Sequence, residues 1–153
     1  MSLKKRLGKV PFGLKEIINQ YGDAEDSLFR LRYLKVFDLK KSLLYQGKEA
    51  NKIYAHYLIG DLFVDCLNDC VESLGDEFRE YGGCFNYRKK TGSNELSVHS
   101  WGIAIDYLPS LGEYGKKSKI PKKVLEIFNS RDIINGGSWL VPDGMHFQCC
   151  DGY

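Results

Sequence analysis

The chain has 153 residues, 43% of them hydrophobic, and a formal net charge of +2. That is enough apolar material for one core of domain size, and too small a charge excess to argue for a nucleic-acid partner. The most apolar stretch, residues 53–67, is interrupted by His56, Asp61 and Asp65 and is shorter than a membrane span, so no membrane insertion is expected.

The first residues are basic without an apolar run behind them, which does not read as a secretory signal. Five cysteines, Cys66, Cys70, Cys84, Cys149 and Cys150, form no C-x-x-C pair. Their odd number argues against a disulfide scaffold and for reduced thiols in a chain made in the cytoplasm.

In chain order, residues 14–22 place Leu14, Ile17 and Ile18 on one side and close on Gly22, which predicts a short helix with a glycine C-cap. Residues 33–39 alternate imperfectly and predict a strand or extended segment. From Asn51 to about Leu74, Ala55, Ile59, Leu62, Phe63, Cys66, Cys70 and Leu74 recur at three- and four-residue steps. This predicts one long helix capped by Asn51, with Cys66 and Cys70 as packing groups on its stripe. His56, beside that stripe, reads as a packed or partly exposed histidine rather than a site residue.

Gly82 and Gly83 then break the chain, "CFNYR" (84–88) reads as a strand, residues 89–94 as a turn and 96–101 as irregular. Residues 102–108 predict a strand with Ala104 and Asp106 on one face and Ile103 and Ile105 on the other. Residues 109–121 are loop, 121–130 a short helix opened by Pro121, 136–144 loop and turn, and 145–149 a closing strand. Five lysines in residues 116–123 read as a solvated loop, or as attraction for an anionic surface. The mixture predicts an α+β fold, a small antiparallel sheet with flanking helices. Residues 1–153 are expected to form a single domain, with 1–48 a candidate N-terminal subdomain.

Two segments distant in sequence each set a histidine beside an acid, "SVHSWGIAID" (97–106) and "PDGMHFQ" (142–148). His99, Asp106 and His146 offer two imidazoles and a carboxylate, a donor set suited to zinc that leaves a fourth position for water. Asp143, three residues before His146 across a glycine turn, is placed to move that water's proton without ligating. Arg88 would hold a substrate carboxylate or a developing oxyanion. Each has an ordinary alternative: His99 capping a loop, Asp106 accepting from backbone amides, Asp143 starting a turn. These residue types alone do not select peptide hydrolysis over another zinc reaction.

The run Ser97-x-His99-x-x-Gly102-x-Ala104-x-Asp106 resembles the SxHxxGxAxD motif of the VanY/M15 peptidase family, the zinc D-Ala-D-Ala carboxypeptidases and L-alanyl-D-glutamate endopeptidases. "DGMHF" (143–147) resembles that family's second motif. "GGSW" (136–139) resembles the GGxW segment before it in bacterial and phage cell-wall members, and "GGCFNYR" (82–88) their GCYNxR-like strand. The likeness covers residues 82–148; the N-terminal part is similar to phage-type members more loosely.

The resemblance implies the Hedgehog/DD-peptidase fold, Zn2+ as cofactor, and His99, Asp106 and His146 as its ligands. It implies Asp143 as base and then acid, Arg88 as a substrate or intermediate contact, Ser97 as support behind the ligands, and Trp139 as a wall of the substrate cleft. A loop cap is the alternative for Ser97 and an ordinary core aromatic for Trp139. Asn135 stands where many relatives have tryptophan, which implies a more polar or more open groove there.

The implied partner is the stem peptide of bacterial peptidoglycan, cleaved by a monomer at the bacterial cell wall. An endopeptidase of phage or prophage origin is expected. The alternatives are a D-alanyl-D-alanine carboxypeptidase, a non-catalytic peptidoglycan-binding or phage tail module, and a zinc amide hydrolase with a substrate outside the wall.

Overall fold

Alternation, not helical spacing, governs residues 34–56. In the computed structural model, which describes residues 1–153, strand β1 (Leu34–Tyr45) pairs antiparallel with β2 (Lys48–His56). Gln46 and Gly47 turn between them at φ 51° and 80°, the left-handed pair that a tight hairpin requires. Along β2, Ile53 and Ala55 are buried while Lys52 and Tyr54 are exposed, a period of two. The helix predicted from Asn51 therefore starts only at Gly60, and Asn51 lies within the strand. Ala55 and Ile59 fitted the helical stripe because a buried strand end and a buried turn fall at that spacing.

Helix α4 (Gly60–Leu74) buries Leu62, Phe63, Cys66, Leu67, Cys70 and Val71. It carries the chain across to β3 (Glu80–Gly83), which joins β1 in parallel. A crossover of this length is what a parallel pair needs, and it makes the sheet mixed where an antiparallel one was expected. The other pairs are antiparallel, and the strand order is β2-β1-β3-β4-β6-β5, with β4 at Ala104–Tyr107, β5 at Ile134–Gly136 and β6 at Asp143–Gln148.

Two further expectations shift. "CFNYR" forms no strand, although its Asn86 N–H donates to the His99 carbonyl and its Arg88 carbonyl accepts the Ser97 N–H, and the strand lies just before it, on the two glycines read as a break. A Cβ on Gly82 would lie 2.9 Å from the Cβ of Asp106, so the glycine lets β3 press against β4. The turn at 89–94 is present, closed by a bridge between Lys89 and Leu96.

One face of the sheet packs on α4 and on α5 (Lys122–Asn129), which begins after Pro121. Phe128 of α5 stacks on Phe147 at 4.0 Å and tilts against Tyr107 at 6.1 Å. The N-terminal helices α1 (Leu3–Leu7), α2 (Gly13–Tyr21) and α3 (Phe29–Tyr33) send Leu3, Ile17, Tyr21 and Phe29 into the same buried cluster. α2 ends at Gly22 as its spacing predicts, and Tyr21 Oη donates to the carbonyl of Cys149 at 2.7 Å. All five cysteines are unpaired and buried. No helix is long and apolar enough to cross a membrane.

Candidate metal centre

The opposite face of the sheet carries the two segments that each set a histidine beside an acid. The antiparallel register sets Asp106 of β4 directly across from His146 of β6, and Ala104 across from Gln148. Residues paired in this way share a face with their Cβ atoms about 5 Å apart. Between β5 and β6 the register shifts, because Asn135 pairs with Phe147 and Gly136 with Asp143. This irregularity re-aims Asp143, which in a regular strand would face away from His146. Its Oδ2 lies 4.0 Å from His146 Nδ1.

His99 enters from a 3-10 turn, Val98–Trp101. Ser97 Oγ accepts the His99 backbone N–H at 3.3 Å, and Gly102 closes the turn at φ 67°. A Cβ on Gly102 would come within 2.9 Å of the His56 nitrogen, and the Gly102 carbonyl accepts that N–H at 2.9 Å. The turn is thereby fastened to β2.

Hydrogen bonds decide which ring nitrogen each histidine presents. His99 Nδ1–H donates to the Cys84 carbonyl at 2.7 Å, leaving Nε2 for the site. Gln148 donates its amide N–H to the Cys150 carbonyl at 3.0 Å, so its Oε1 must accept, and it accepts His146 Nε2–H at 2.8 Å. His146 therefore presents Nδ1. His99 Nε2 and His146 Nδ1 face Asp106 Oδ1 at 3.3 and 3.6 Å, and the three ligand atoms lie within 4.8 Å of one another.

Ligand atoms about 2.1 Å from a tetrahedral zinc ion are about 3.4 Å apart, so this set fits the ion. His99 Nε2 supplies the independent test, being buried without a hydrogen-bond partner. A lone pair so close to a carboxylate oxygen requires a cation or proton between them.

The acids behave differently. Burial alone would raise Asp106, but His146 and His99 outweigh it and hold the carboxyl well below the usual range. Asp143 is raised, by burial first and by the charge of Asp106, against the pull of His146. A carboxylate raised toward neutrality is the better proton acceptor.

These groups open into a cavity of about 560 Å³. Trp139 forms a wall, 38% exposed, its ring 5.4 Å from that of His146. Leu140 beside it is fully exposed. Ser97 and Arg88 line the same cavity. Arg88 is anchored through its backbone N–H to Ser100 Oγ at 3.1 Å, while its guanidinium donates to the Lys89 carbonyl at 3.2 Å rather than to the acids.

His56 is fully buried outside the centre. It packs against Tyr21, Tyr33 and Tyr57 at ring distances of 5.1 to 5.5 Å.

Asn135 faces backbone rather than groove. It donates to the carbonyls of Gly144 (2.8 Å) and His146 (3.0 Å) and accepts the Gly137 N–H (2.8 Å), tying the loop before Trp139 to β6. Gln148 and the Cys84 carbonyl were not foreseen. The i, i+2 spacing of His146 and Gln148 on a strand is the one signal that would have found Gln148.

A largely buried His-Asp-His set with a further carboxylate at its edge is capable of holding a metal ion beside a group that can move protons. Residues 91–149, a stretch shorter than half the chain, match the M15 peptidase family model described as D-alanyl-D-alanine carboxypeptidase. No curated protein and no solved structure matches the chain. The matched stretch contains all three ligands and Asp143, and together match and ligand set support a zinc-dependent M15-type peptidase without selecting a branch of that family.

Proposed function

We propose that this protein is a zinc peptidase of DD-peptidase type that hydrolyses an amide bond in peptidoglycan stem peptides at the bacterial cell wall. The observation that carries the reading is the convergence of His99, Asp106 and His146 around an unpartnered His99 Nε2, with Asp143 at 4.0 Å. The description of the matching family favours a carboxypeptidase over the endopeptidase expected from sequence. Arg88 and Lys90, two cations on the same cavity, suit the terminal carboxylate that a carboxypeptidase must hold. The endopeptidase remains a second reading for one reason: a second cavity shares Arg88 and Asp106 with the first, so the groove continues past the ligands.

His99, Asp106 and His146 would hold the ion. Bound there, zinc supplies a Lewis acid for the scissile carbonyl and acidifies water. Asp143 takes the proton of the attacking water and delivers it to the departing amine. Arg88 orients the substrate carboxylate or shares the developing oxyanion. Trp139 covers one side of the reacting bond.

Paired variants test the assignment, with metal analysis for zinc and mass spectrometry of products from a stem pentapeptide. Asp143→Asn should keep zinc and lose about 10²–10⁴-fold in rate. His146→Ala should lose zinc as well as rate. Parent-like cleavage by a zinc-loaded Asp143→Asn protein would remove Asp143 from the mechanism. Release of free D-alanine identifies a carboxypeptidase, and internal fragments an endopeptidase. Zinc retention by the parent without any cleavage would leave a binding module.

A further inference from the structure

The groove runs from the ligands to the β1–β2 hairpin. A cavity of about 300 Å³ is lined by Arg88, His99 and Asp106 together with Tyr45 and Phe85. It adjoins a cavity of about 550 Å³ that shares Tyr45, Gly83, Cys84 and Phe85 with it. The hairpin and β3 add Tyr54 and Tyr81 to the outer cavity, with Gln46, Lys48, Glu49 and Lys52 also lining it. All of these hairpin residues lie outside the stretch matched by the family model.

Tyr45 and Tyr54 are 43% and 37% exposed. Each is backed by a second ring, Tyr54 edge-on to Phe85 at 5.5 Å and Tyr45 tilted on Tyr81 at 6.3 Å. The Arg30 guanidinium lies 4.8 Å from the centre of the Phe85 ring. Held, partly open aromatic faces grouped in one cavity are an unusual use of surface. They carry negative charge density, which attracts the weakly positive C–H face of a pyranose. Hydroxyl and acetamido groups need polar partners at the rim, and the amide, lysines and glutamate of the hairpin provide donors and acceptors. The floor at Leu44 and Tyr45 offers no free backbone, being paired with Lys48 and Glu49 of β2 and with Glu80 and Tyr81 of β3, so rings and rim side chains are what the cavity presents there.

We infer that the hairpin cavity is a carbohydrate subsite, which takes the N-acetylated sugar bearing the stem peptide while the peptide crosses the metal centre. The inference rests on the peptidoglycan reading above and adds that glycan-linked stem peptide is the preferred substrate.

The test compares kcat/KM for a disaccharide-linked stem pentapeptide with that for the same pentapeptide without sugar. The parent should prefer the linked substrate about tenfold, carried by KM, as two ring contacts predict. The Tyr45→Ala, Tyr54→Ala double variant should erase that preference, and Tyr54→Phe, which keeps the ring, should retain it. No preference in the parent, or one that survives the double substitution, overturns the subsite. A separate NMR titration with the peptide-free disaccharide reads binding without hydrolysis. Shifts at residues 45–54 support the subsite even if neither pentapeptide is cleaved, an outcome that would sink the peptidase reading alone. Absence of shifts there overturns the subsite.

Discussion

β4 and β6 are strands of four and six residues, mostly buried, while β1 and β2 run for twelve and nine and are largely exposed. On the short pair a candidate ligand and its support are held by other groups: His146 by Gln148, Gln148 by the Cys150 carbonyl, and the β6 backbone by Asn135. On the long pair, apart from His56 at the buried end of β2 and the Arg79–Ser42 contact, polar contacts face solvent, such as Lys52 with Asp38 at 2.6 Å between two exposed side chains. Exposed ion pairs of this kind contribute little. Position within the site thus comes from short buried strands cross-tied by side chains, whereas long pairing yields a broad platform that presents side chains to solvent.

The sharpest way to separate the two regions is to remove a ligand. His99→Ala should reduce hydrolysis to the uncatalysed background and zinc well below one equivalent, while hydrogen exchange finds β1–β2 amides as protected as before. Loss of that protection would mean that the hairpin depends on the metal centre. Next comes the core that both regions share. Phe63, fully buried on α4, should cost about 3–5 kcal/mol when replaced by alanine, measured by urea unfolding, with zinc stoichiometry unchanged in the folded protein.

A pH effect should follow from His56. Burial lowers its pKa to about 4, against the opposing pull of the Tyr21 carbonyl, while an unfolded chain has about 6.5. Between these values the unfolded chain binds the proton and the native one does not. The stabilisation is therefore complete above about pH 6.5 and is lost as pH falls toward 4, by about 3 kcal/mol. Urea midpoints across that window should fall less steeply for His56→Gln than for the parent; equal slopes would remove His56 as the cause. The smallest effect belongs to the ligand supports. Gln148→Leu should weaken zinc about 10–100-fold in chelator competition, because His146 would lose the partner that fixes its tautomer.

The candidate site was legible because metal chemistry restricts residue types. Few side chains can stand at positions 99, 106 and 146, and the pairing of Asp106 with His146 then needs only a correct register. Its supports were not legible. The partner of His99 is a backbone carbonyl, which any residue at position 84 would supply, and Asn135 bonds to backbone as well. The fold was read less well where one pattern serves two structures. Residues 51–59 satisfied helical spacing while forming a strand and a turn, and α4 begins without a side-chain cap to mark its start. The parallel placement of β3 depends on where α4 delivers the chain, a matter of topology rather than of local residues.

The buried cysteines carry a consequence for redox tolerance. Burial raises the thiols of Cys66, Cys84 and Cys149, and holds those of Cys70 and Cys150 at about 12. Oxidants and disulfide exchange act on thiolates, which are scarce at neutral pH in such groups and here shielded from solvent. The candidate metal-binding set contains no sulfur. Thiol oxidation and disulfide exchange should therefore be slow in the folded protein, and neither would touch the donors of the candidate metal centre.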